Sequence, residues 1–185
     1  MVIDGNGAVI SGLSAVPADR WKEAGNGVYE LPFWPMSNMY KHYAKQDYWL
    51  PESRIFFVDG KAAANCLTRA EMEKTPGGFW WSRRQRKLFF RPPEGKTIAE
   101  LTVELPANAG FYVLADHVRV ENFTVILSWN DGFDAAGDPR GVHYRNCVAI
   151  DNCGQGFSCH GTSVVLYEDC VAVRCASSGS CDVHW

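Results

Sequence analysis

Apolar and polar positions alternate in short runs along the chain, and from residue 118 onward the alternation itself repeats. Laying ENFTVILSWNDGFDAAG (121–137) over RNCVAIDNCGQGFSCHG (145–161) brings Asn122 onto Asn146, Ile126 onto Ile150, Gly132 onto Gly156, Phe133 onto Phe157 and Gly137 onto Gly161, every match at the same offset of 24. A third unit, EDCVAVRCASSGSCDVH (168–184), follows at an offset of 23 over 169–173 and of 24 from Ser180 onward, which implies one residue inserted in a turn. A period this short, rich in Val, Gly and Asn and without a 3.6-residue apolar stripe, predicts short strands and turns wound as coils of a β-solenoid.

Side chains two apart on a strand share a face. Phe133, Phe157 and Cys181, with Ala135, Cys159 and Val183, are therefore expected to point inward. The opposite face then carries Asp134, Ser158 and Asp182 in one column and Ala136, His160 and His184 in the next, and is expected to be an outer wall.

Residues 13–108 break the period. Aromatic and apolar runs, among them Ile55-Phe56-Phe57-Val58, Gly78-Phe79-Trp80-Trp81 and Lys87-Leu88-Phe89-Phe90, alternate with Gly- and Pro-bearing turns and predict a small β-rich module. FWWS (79–82) and KLFF (87–90) flank the polar RRQR (83–86) as a hairpin with a solvated tip. RAEMEK (69–74) is the one good helical candidate in the module.

Composition narrows the functional classes. The 185 residues amount to about one domain, and 46% hydrophobic with 13% aromatic residues is enough apolar material for a core. A net charge of −3 supplies no basic field for a nucleic acid or an anionic membrane, and neither is expected as a partner. No apolar run approaches the ~18–20 residues of a membrane span. The opening MVIDGNGAVISG starts within a strand pattern and has no signal-peptide features, so the sequence is expected to begin partway through a longer protein.

The order of these segments resembles a known family. ISG (10–12), Trp21, FFVDGK (56–61), LTRA (67–70) and GFWWSRRQRKLFFRPPEGK (78–96), followed by the 24-residue coils, resemble bacterial right-handed parallel β-helix proteins of the pectate-lyase-like superfamily. The resemblance implies an all-β fold: a right-handed parallel β-helix with its first strands at 1–12, an inserted β-rich module at 13–108 and coils at 109–185. It further implies a secreted or periplasmic carbohydrate-active enzyme, a glycoside hydrolase or polysaccharide lyase, with C-terminal coils missing from this chain. A noncatalytic glycan-binding or scaffold solenoid is the competing class, since one fold hosts several functions.

Rungs of a parallel stack lie about 4.8 Å apart, so Asp134 and Asp182, two rungs apart, are expected at ~9.6 Å. That is at the edge of the ~6.5–9.5 Å spacing of inverting glycosidases, in which one carboxyl group protonates the leaving oxygen and the other activates water. His160, one rung and one column from Asp134, is a third proton-transfer candidate. Asp131, Gln155, Ser158, His184 and Trp129 are candidate contacts to a polysaccharide or oligosaccharide, Trp129 as a stacking platform. The competing readings are a turn residue for Asp131 and an exposed surface acid for Asp134. Scattered arginines and the lack of a dense Asp cluster favour hydrolase over calcium-assisted lyase. Six of the seven cysteines lie in the coils, at spacings that match no zinc motif, and read as a ladder of small buried side chains. No cofactor or metal is expected.

Overall fold

The computed structural model describes residues 1–32, 55–82, 84, 85 and 87–183, with backbone only for 181–183. The chain forms two compact units, one from Met1–Leu13 and Ala107–Trp185, the other from Ser14–Pro106.

The first unit contains three four-stranded sheets, parallel throughout. One is built from Val2–Asp4, Arg119–Glu121, Arg140–Arg145 and Val164–Glu168, the second from Val9–Ser11, Thr124–Ile126, Val148–Ile150 and Val171–Val173. Phe111–Val113, Phe133–Ala135, Phe157–His160 and Ser180–Val183 make the third. The chain visits the three in rotation, and one such pass is called a rung below. Pairing follows the sequence repeat: Thr124 opposes Val148 and Phe133 opposes Phe157, both at the offset of 24, while Val148 opposes Val171 at 23.

The turns recur with the strands. Asn122, Asn146 and Asp169 have φ of 61°, 47° and 52°, a left-handed conformation that Asn and Asp tolerate better than most residues. The Asn146 amide donates to Asn122 Oδ1 at 2.7 Å and the Asn122 amide to Asp4 Oδ1 at 2.8 Å, so the NFT triplet begins in a side-chain ladder along the turns.

Inside, aromatic rings stack from rung to rung. Phe133 is fully buried, nearly parallel to Phe157 at 5.0 Å and edge-on to Tyr144 at 5.4 Å. Tyr144 stacks in turn on Tyr167 at 5.8 Å. Val120, Val125, Val142, Ala135, Ala149 and Cys147 complete this core. The inward placement of Phe133 and Phe157 follows from the period-2 alternation.

Gly132 lies at a close approach between rungs. A Cβ there would stand 2.6 Å from Asn152 Nδ2, 2.7 Å from the Gly156 carbonyl oxygen and 2.9 Å from the Ala149 Cβ. Gly132→Ala is expected to cost about 1–3 kcal/mol through overpacking. Denaturant melts should show a lower midpoint, and an unchanged one would refute the close approach.

The second unit holds two sheets. Lys22–Glu23, Tyr29–Pro32, Lys87–Phe90, Gly78–Ser82 and Ala64–Asn65 form one in that order; Leu13–Ala15, Val103–Pro106, Phe57–Val58 and Lys61–Ala62 form the other. The 79–82/87–90 hairpin is present, with Lys87 opposite Ser82 and Phe90 opposite Phe79; positions 83 and 86 of its tip lie outside the described residues. The short helix is Arg69–Met72, started by Thr68, whose hydroxyl accepts from the Glu71 N–H. Trp21, Phe56, Phe79 and Phe90 pack as an aromatic cluster in its core.

Candidate proton-transfer site

The polar face of the third sheet gathers three chemically active side chains. Asp134 is the central residue of Phe133–Ala135 and stands in register between Tyr112 and Ser158. Asp131 precedes that strand, and His160 ends Phe157–His160 on the next rung. The imidazole Nε2 of His160 lies 3.6 Å from Asp134 Oδ1 and 3.9 Å from Asp131 Oδ2. Two residues from one rung and one from the next thus meet because the strands pair in register with the repeat.

Asp131 is fixed by donors from both rungs. Its Oδ1 accepts the Gln155 backbone N–H at 2.7 Å, and its Oδ2 accepts the Ser158 hydroxyl at 2.9 Å and the Asn130 amide at 3.4 Å. Ser128 holds the turn from inside, donating its hydroxyl to the carbonyls of Asn130 and Asp131. By contrast, buried Oδ1 of Asp134 has no hydrogen-bond partner among the described residues.

Electrostatics follow from this packing. Burial pushes the Asp134 carboxyl up to about 6, because a charged carboxylate is poorly solvated there; His160 opposes the shift and Asp131 adds to it. His160 is raised above the ordinary imidazole value, first by Asp131 and then by the charge of Asp134, against its own partial burial. A buried carboxyl held well above the usual carboxylate range and an imidazole 3.6 Å from it can pass a proton between them.

The donor atoms of Asp131, Asp134 and His160 lie within 4.8 Å of one another, which meets the distance requirement for a divalent cation. Both oxygens of Asp131 already accept protein hydrogen bonds, and His160 faces the two carboxylates, so a hydrogen-bonded and ion-paired cluster accounts for the arrangement without an ion.

Several expectations are corrected. The offset of 23, which sets in where Val142 opposes Val165, persists through the last strand, so Ser158 opposes Cys181 and Cys159 opposes Asp182. Asp182 therefore leaves the Asp134 column, and the acid pair expected at two-rung separation is not formed. His184 lies outside the described residues. The face bearing Asp134 is not an exposed wall: Asp131 and Asp134 are 3% exposed and Ser158 is fully buried. The Ser158 hydroxyl is engaged by Asp131, and Gln155 serves the site through its backbone N–H. Trp129 is buried, which corrects its reading as a surface platform.

Two neighbours escape a sequence reading. Tyr112 flanks Asp134 in register and its hydroxyl accepts from the Asn130 amide at 3.3 Å. The strand Phe111–Val113 pairs at an offset of 22, two short of the repeat, so extending the repeat upstream misses it. Asn130 shows only as part of an Asn-Asp-Gly turn signal.

No family model and no curated protein matches the chain. Among solved structures, the complex of XylC with xylose is similar over 86% of this chain at 11% identity and a TM-score of 0.40. The chain covers about 42% of that protein's length.

Proposed function

We propose that the chain belongs to an extracellular or periplasmic right-handed parallel β-helix protein that hydrolyses glycosidic bonds in a polysaccharide or oligosaccharide. His160 is the catalytic residue. The observation that carries this reading is the exposure gradient across the cluster: the His160 side chain is 27% exposed, against 4% for Asp131 and 5% for Asp134. A substrate on this face meets the imidazole first. Asp131 and Asp134 are positioning residues, Asp131 orienting the ring and Asp134 supplying a carboxyl that exchanges its proton with Nε2 near neutral pH.

His160 protonates the leaving oxygen as the glycosidic bond breaks, the oxygen of the incoming water bonds to the anomeric carbon, and the proton that this water releases returns to His160 directly or through Asp134. A second reading, eliminative cleavage of a uronate polymer, is favoured by one fact: the reaching group is an imidazole base, while the widely spaced acid pair suited to inverting hydrolysis is not in register.

A polysaccharide panel with wild type, His160→Gln and Asp134→Asn tests both. Hydrolysis releases reducing ends with no ultraviolet-absorbing unsaturated product, and elimination yields both. His160→Gln is expected to lower the rate by about 10²–10⁴-fold. Asp134→Asn is expected to reduce it less and to displace the pH–rate profile. Equal rates in all three proteins, or no cleavage by any, would overturn the assignment.

A further inference from the structure

The cysteines of the first unit are not equivalent. Val148 opposes Val171, which places Cys147 directly across from Cys170 on the next rung. Both side chains take the same orientation. Cys147 Sγ lies 3.3 Å from the carbonyl oxygen of Arg145 and 3.6 Å from that of Val120, on the preceding rung. Cys170 Sγ lies 3.4 Å from the carbonyl oxygens of both Glu168 and Tyr144, so it reaches back toward the rung that carries Cys147. The two thiols therefore face the same way on adjacent rungs, each against the carbonyl of the rung before it.

Among the other cysteines of this unit, Cys153 has Cys175 near it. Cys175 lies across from Asn152, whose amide is 3.8 Å from its sulfur. Cys159 opposes Asp182, Cys181 opposes Ser158, and Cys66 belongs to the other unit.

We propose that Cys147 and Cys170 form a redox-active pair that closes into a cross-rung disulfide on reaction with a small-molecule disulfide. Adjacent in-register residues on parallel strands have Cα atoms about 4.8 Å apart, within the ~4.4–6.8 Å span of disulfides. Access sets the order of events: Cys147 is fully buried and Cys170 half-buried, so the reagent meets Cys170. Cys147 beside it holds the Cys170 pKa below the ordinary thiol value, which favours attack near neutral pH.

The Cys170 thiolate displaces one half of the small disulfide, which leaves as a thiol after taking up a proton. Cys147 then loses its proton to the second leaving group while its sulfur attacks the mixed disulfide at Cys170. Two protein thiols are oxidised by two electrons, and one small disulfide becomes two thiols. Thiol–disulfide exchange at this pair needs no activity toward glycans.

The test uses the folded chain with glutathione disulfide near neutral pH, followed by alkylation, non-reducing digestion and mass spectrometry. The expected product is about 2 Da lighter than the reduced protein, with the Cys147 and Cys170 peptides joined and the remaining cysteines alkylated. Cys147→Ala is expected to retain a glutathione adduct at Cys170, and Cys170→Ala to leave Cys147 free of adduct. Alkylation of both in the wild type, or joining of either to another cysteine, would overturn the pairing. The wild-type measurement stands whether or not the variants fold.

Discussion

Asp134→Asn should make the protein more stable at pH 8 while leaving its stability almost unchanged at pH 4. Asp134 titrates at about 6 in the folded chain against an ordinary value of 3.8. Well below pH 3.8 the carboxyl is neutral in both states, at pH 4 the unfolded chain has only begun to gain from releasing its proton, and the amide is a near-isosteric replacement. Between pH 4 and 6 the unfolded chain releases this proton and the folded chain keeps it, so the stability it contributes is lost as pH rises through the folded value. The full difference is roughly 3 kcal/mol, because the two values lie about two pH units apart and each is worth ~1.4 kcal/mol. For a chain of this size it corresponds to roughly 6–12 °C in melting temperature at pH 8. His160, also raised, changes wild-type stability in the same direction. Thermal melts of both proteins at the two pH values decide the matter, and a pH-independent difference would show that Asp134 is not the buried, desolvated group described here.

A group that weakens the fold at physiological pH calls for an explanation outside stability. Asp131 accepts donors on both oxygens, whereas Asp134 Oδ1 is buried beside His160 without a hydrogen-bond partner among the described residues. Replacing Asp134 by an uncharged residue would relieve that cost. Proton exchange with His160 is the role proposed for it, and on that proposal the same substitution raises stability and impairs turnover.

How far these features are legible in the sequence depends on the physics behind each. The pairing of Phe133 with Phe157 is legible because these two rungs have the same pattern at a constant offset of 24, and strands that repeat one pattern stack in register. Inward and outward faces are legible from the period of two. What lies over the outward face is not: alternation separates Asp134 from Phe133 but says nothing about solvent, and Asp134 proves as buried as the core. The last rung misleads because Gly-Phe-Ser-Cys-His (156–160) and Ser-Cys-Asp-Val-His (180–184) end alike, which favours aligning them at 24. Hydrogen bonding chooses 23, and one residue of slip moves Asp182 from the Asp134 column to that of Cys159. The Asp131–His160 approach requires knowing that Asp131 folds back onto the Gln155 N–H, which depends on a turn conformation rather than a strand pattern.

The largest loss of stability is expected from Phe133→Ala. The ring is fully buried, with Phe157 stacked on one side at 5.0 Å, Phe111 on the other at 6.2 Å and Tyr144 against its edge at 5.4 Å. Truncation removes contacts to three rungs at once, and the parallel backbones at fixed spacing prevent the neighbours from collapsing into the space. The cost should therefore lie in the upper part of the usual range for buried phenylalanine, about 3–5 kcal/mol. Phe133→Leu keeps most of the volume and should lose about half as much or less. Chemical denaturation of the two variants beside wild type provides the measurement. A loss below about 1 kcal/mol for Phe133→Ala would mean that the rungs are not held by this column of rings. The Asp131–Asp134–His160 contact depends on the same registration, because Phe133 and Phe157 are the strand neighbours of Asp134 and Ser158.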